Sequence, residues 1–212
     1  MTMKSGVIAG CALVAVAASA CSSSTGTAVP ETSASASAAP TATQAARPTL
    51  TDAKLQPPSQ DNKYTQSSGR PKVVFDPCTW IDAADIESVG FRSDSRRRGP
   101  DLVAEYTFLT CIFRNADSTR SLNVDSGNTT WEENLQKNGA WLTATTINGR
   151  QAGLVRGEPG HEDACQVHMQ TKVGVVIVGG LVLSLGKKQN LDPCANITEI
   201  ASAVEKSIGK EN

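Results

Sequence analysis

ACQVHMQTKVGVVIVGGLVLSL, residues 164–185, decides the fold of this chain. Its first third alternates, placing Cys165, Val167 and Met169 on one side of a pleat and polar residues on the other, which is the pattern of a half-buried strand. The remainder is apolar almost throughout and β-branched, interrupted only at Gly179-Gly180. A strand central in a sheet reads this way, because both of its faces are covered.

Upstream the pattern continues. LTATTINGRQAGLVR, residues 142–156, carries Asn148-Gly149 between two β-like runs, the strongest short-range signal for a hairpin. TTWEENLQKNG places a capping Thr before a short helix over residues 130–137. RSLNVDS and LVAEYTFLTCIFR, the latter residues 102–114, alternate as strands. Downstream, KQNLDPCANI (residues 188–197) contains Asp192-Pro193-Cys194, and apolar positions then fall at Ile197, Ile200, Ala201, Val204 and Ile208 before Gly209. Spacings of three and four closed by a glycine predict an amphipathic helix. The same tripeptide stands at Asp76-Pro77-Cys78 within VVFDPCTWID, where the Asp can cap and the Pro suits the first helical position, predicting a helix over residues 77–89 ended by Gly90. The sum is an α+β domain: a largely antiparallel sheet with helices packed on one face.

Six cysteines bear on location. Lys4 followed by an apolar run over residues 6–18 reads as an N-terminal targeting segment, too short for a comfortable membrane span. In AASACSSS, small residues precede Cys21 and polar ones follow, the arrangement of a bacterial lipobox whose cysteine is acylated. Ala18-Ser19-Ala20 also fits ordinary secretory cleavage, and IAGC at Cys11 is the closer four-letter match but has almost no apolar segment before it. The expected organisation is a signal peptide over residues 1–20, a lipidated Cys21 with a tether to residue 72, and a folded domain over residues 73–212. The tether follows from composition: 23 of the 29 residues in 22–50 are Ser, Thr, Ala or Pro, too few apolar groups to offset chain entropy. Its density of Ser and Thr also suits O-glycosylation.

Cys78, Cys111, Cys165 and Cys194 remain, an even number suited to disulfides in an exported chain. Four cysteines allow three pairings, and nearness in sequence favours Cys78 with Cys111 and Cys165 with Cys194. The rival is a reactive thiol, because Cys78 and Cys194 both fall at expected helix starts, where the dipole lowers a thiol's pKa.

Other chemistry is sparsely represented. With 20 basic and 21 acidic residues the chain has no excess positive charge for nucleic acid. His161 and His168 are seven apart and do not form a helical zinc-peptidase pair, and no cysteine pair has zinc spacing, so neither a metal nor another cofactor is expected. No nucleophile elbow, phosphate loop or dinucleotide fingerprint is present. The one dense basic run, RSDSRRRGP, offers Arg92, Arg96, Arg97 and Arg98 as an anion-binding candidate toward lipid headgroups or an acidic polymer; the plainer reading is a solvated loop balanced by Asp94 and Asp101.

Taken in order, the lipobox, the Ser/Thr/Ala/Pro tether, the Asp-Pro-Cys helix, the CIF strand, the ACQV strand and the second Asp-Pro-Cys resemble an actinobacterial lipoprotein family of unknown function, the LprB-like group. The resemblance covers roughly residues 75–209. It implies a protein anchored by lipid to the extracytoplasmic face of the cell membrane, serving an envelope protein or lipid ligand, with no catalytic residues to carry over. An exported enzyme or thiol-redox protein is the alternative.

Overall fold

The computed structural model of the chain describes residues 49–212. The expected signal peptide, Cys11, Cys21 and the tether up to residue 48 lie outside the described residues. The alternating stretches form eight strands: β1 Phe91–Arg98, β2 Leu102–Val103, β3 Thr107–Asn115, β4 Arg120–Gly127, β5 Leu142–Ile147, β6 Arg150–Arg156, β7 Ala164–Gln170 and β8 Val175–Val182. Their order is β1-β3-β4-β8-β7-β6-β5, with β2 paired to β3 and every pairing antiparallel. The apolar run thus supplies the middle strand β8, flanked by β4 and β7. Asn148 and Gly149 both take positive φ, 49° and 85°, as the tight turn between β5 and β6 requires.

One face of the sheet is the core. Cys111, Phe113, Leu122, Val124, Val167, Met169, Val176 and Val178 are buried there. Over them lie α2 Pro77–Trp80, α3 Ala83–Ser88 and α6 Ile197–Ile208, which with the residue after α2 bring Ile81, Ile86, Ile200, Val204 and Ile208, while the short α5 Ser184–Lys188 follows β8. Each such side chain, once buried, contributes about 1.5–3 kcal/mol, so the covered face supplies most of the driving force. Both expected disulfides are present, Cys78–Cys111 and Cys165–Cys194, closing spans of 33 and 29 residues. The fold is α+β with a largely antiparallel sheet. To the helices on the core face it adds α4 Trp131–Asn138, which crosses the opposite face above His168.

Several local expectations are corrected. The helix over residues 77–89 breaks at Ile81, whose ψ of 127° is extended, and Asp82 starts α3 by accepting the Ala84 amide at 2.8 Å. A second capping residue inside the apolar pattern outweighs continuation. Asp76 does not cap; its carboxylate accepts from Arg98 instead. The second Asp-Pro-Cys, unlike the first, does not begin a helix. Asp192 accepts the Cys194 amide at 3.0 Å, a turn follows, Asn196 adopts φ 61°, and α6 starts only at Ile197. The bridge from Cys194 to β7 holds this turn against the sheet. The strand expected over residues 102–114 is two, β2 and β3, folded back at Ala104, whose amide donates to Tyr106 O. RSDSRRRGP is an edge strand, not a loop: β1 pairs with β3 through a bulge between Arg92 and Arg97.

Ordered packing also begins earlier than residue 73. Leu50 donates to Thr79 O at 2.9 Å, a 3-10 turn spans Ala53–Leu55, and α1 Lys63–Ser68 opens on a capping box between Asn62 and Thr65. Gln60 grips the backbone of Val73 through both its oxygen and its nitrogen, and the Asn62 amide donates to Val103 O. Residues 49–72 are a strap on the domain. Apart from Leu55, which packs on the core, its attachments are polar, hydrogen bonds and the Arg70–Glu133 pair, and these leave no apolar period for sequence reading to find.

Candidate functional site

The second face of the sheet is where a ligand could enter. Alternation along β3, β7 and β8 turns Phe108, His168, Val175 and Ile177 away from the core, and α4 covers only part of that face. Between α4 and the β2–β3 connection lies a groove of about 600 Å³, walled by Leu102, Tyr106, Phe108, Val175 and Ile177, with Asn134 and Lys137 of α4 at its side. Phe108 can lie flat there because its cross-strand partner is Gly127, where a Cβ would stand 2.4 Å from the ring. Leu102 is 49% exposed, so the apolar wall reaches solvent.

A polar network underlies the groove beside α4. His168 is 1% exposed, with Nδ1 2.7 Å from Asn134 Oδ1 and Nε2 2.7 Å from Gln166 Oε1. Burial, aided by the Lys137 ammonium, pushes the imidazole pKa down to about 4, so the ring is neutral and carries a single N–H. A neutral ring can donate to only one of two carbonyl oxygens. Asn134 Oδ1 also accepts from Asn138 Nδ2 at 2.9 Å, which fixes it as the oxygen, so the ring donates from Nδ1 to Asn134 and a turned Gln166 amide donates to Nε2.

The strap closes one end of the groove. Arg70 pairs with Glu133 of α4, donates to Asn128 O at 3.1 Å, and lies over the Tyr106 ring at 4.0 Å. Glu133 also accepts from the Thr130 amide, and these donors, Arg70 first, hold its carboxyl at about 2.

The arginine candidates are not brought together as one surface. Arg96 donates to Cys78 O and Ile81 O at 2.9 and 2.8 Å and stacks toward Phe113. Arg98, with its side chain 12% exposed, is paired with Asp76 and Asp101 and also holds Leu55 O. Arg92 pairs with its neighbour Asp94, and Arg97 is exposed. Two of the four are therefore spent inside the fold, an outcome their density in sequence gave no means of anticipating. Cys78, Cys111, Cys165 and Cys194 are all in disulfides, so neither Cys78 nor Cys194 presents a thiol. His161 stays exposed in the loop before β7, apart from the buried environment of His168. Among the described residues no group of three or more His, Cys, Asp or Glu side chains could hold a metal ion, and no helix is long and apolar enough to cross a membrane. Sequence reading missed the groove itself. Its signal was the set of large apolar residues on the nominally polar phase of β3 and β8.

The family model described as "Protein of unknown function (DUF3558)" matches residues 16–207. No curated protein and no solved structure matches the chain. The match extends over most of the 212 residues, across the whole sheet and both bridges. The chain belongs to the DUF3558 family, whose function is unknown.

Proposed function

We propose that this chain is an envelope lipoprotein of the LprB-like, actinobacterial kind, anchored through Cys21, whose domain binds an amphiphilic ligand without transforming it. The groove beside α4 carries this reading: its volume of about 600 Å³ falls in the range of small-molecule sites, its sheet side is apolar, and polar and charged side chains of α4 line the other side. Leu102, Tyr106, Phe108 and Ile177 suit an acyl or aromatic body, and Lys137 suits an anionic head. The two disulfides support an exported domain, since such bridges persist in oxidising compartments. The small residues before Cys21 support the anchor.

Native mass spectrometry of the protein purified from its own envelope should show a co-purifying lipid-like mass. Displacement of that species should follow addition of a fluorescent long-chain fatty acid, whose emission rises on binding. Ile177→Arg places a charge in the apolar wall and should abolish the rise while leaving the core face untouched. An unchanged signal in Ile177→Arg would place binding elsewhere. The anchor is tested apart from the groove: Cys21→Ser should leave the protein unacylated and released or unprocessed, because stable anchoring requires acyl chains on that residue, and an acylated, membrane-bound Ser variant would overturn the assignment.

A further inference from the structure

We infer that β5 is an interface strand through which two copies of this chain pair edge to edge. The two edges of the sheet are built differently. β1 carries Arg92, Asp94, Arg96, Arg97 and Arg98 and a bulge between Arg92 and Arg97, features that blunt an edge against pairing. β5, LTATTI, has no charge, no proline and an unbroken register with β6 from Leu142 to Ile147. Among the described residues it ends the strand order, with β6 on one side and no strand on the other.

Hydrogen-bond parity identifies the groups left over. The Asn148-Gly149 turn closes on the Ile147–Arg150 pair, and Arg156 donates to Trp141 O at 3.2 Å, so the odd-numbered residues of β5 bond to β6. The amides and carbonyls of Leu142, Ala144 and Thr146 therefore point away from the sheet. A row of three such residues is a template for one more antiparallel strand.

The row is self-complementary. Placing a two-fold axis at Ala144 sets Ala144 against its own copy, Leu142 against Thr146 of the other copy, and Thr143 against Thr145. No like charges meet, and threonines face threonines, a favourable cross-strand pair. Ala144 and Thr146 are exposed, so pairing requires no rearrangement of the core. Such an isologous contact closes on itself as a dimer and joins two sheets into one.

Sedimentation velocity on the full chain over a concentration series tests this. The wild type should show a monomer–dimer equilibrium. Ala144→Lys sets two ammonium groups face to face across the axis and should weaken dimerisation by at least about tenfold. Mixing Ala144→Lys with Ala144→Glu should restore a dimer, which a merely misfolded variant could not do. A wild type that stays monomeric up to about 100 μM, or a dimer indifferent to both substitutions, overturns the proposal. Slow hydrogen exchange at the Leu142, Ala144 and Thr146 amides of a monomer would also overturn it, by showing that another segment of the same chain occupies the edge.

Discussion

His168 illustrates how a single residue's chemistry follows from its cover. On sequence it is the polar alternate of a half-buried strand. Beneath α4 it becomes a neutral, hydrogen-bonded core residue with a pKa near 4 against an ordinary value of 6.5. Between those two values the unfolded chain takes up a proton that the folded chain refuses. Stability attributable to this group is therefore complete above about pH 6.5 and is lost as pH falls toward about 4, with a total of about 3 kcal/mol. Urea unfolding midpoints across that window should show a shallower pH dependence in His168→Gln than in the wild type. Equal slopes would mean the imidazole is protonated in the folded state. Arg98 makes the complementary point: a residue read as solvated or anion-binding is the buried counter-ion of Asp76 and Asp101, and its loss would strand carboxylates away from water.

Among the elements, the Asp-Pro-Cys segments deserve comparison because identical tripeptides fold differently. At Asp76 a four-residue helix begins; at Asp192 only a turn forms, and α6 waits for Ile197. What they share is the bridge to a neighbouring strand, Cys78 to β3 and Cys194 to β7. Changing Cys78 and Cys111 together to Ala should lower stability by about 2–5 kcal/mol. Non-reducing peptide mapping of that variant should still recover the Cys165–Cys194 link, since the second bridge ties a different segment, the turn before α6, to a different strand. Loss of the second link would show that the bridges form interdependently. Here the sequence was legible in outline: even cysteine number and nearness in the chain pointed to the pairing found, whereas the helix starts were decided by where the bridged turns meet the sheet.

For the whole molecule, the strap changes where the domain begins. Because residues 49–72 are bound through Leu50, Gln60, Asn62 and Arg70, limited proteolysis should leave a resistant fragment starting close to Thr49. A fragment starting at Val73 would show that these bonds open readily. The strap also links the chain leading back toward Cys21 with α4 and Tyr106, the same residues that bound the groove.

The sheet apart from β1 and the break between β2 and β3, its middle strand, the β5–β6 hairpin, α4 with its Thr130 cap, and the amphipathic run of α6 were determined by the sequence alone. Each rests on a period or a turn signal contained within a short window, and apolar residues in that pattern have only one way to leave water. Tertiary structure alone decided the rest. Arg98 finds Asp76 across 22 residues, Arg70 finds Glu133 across 63, and His168 meets Asn134 across 34. Such polar pairings leave no periodic trace, because a charged or amide side chain is compatible with solvent until the packed sheet brings its partner near and removes the water between them.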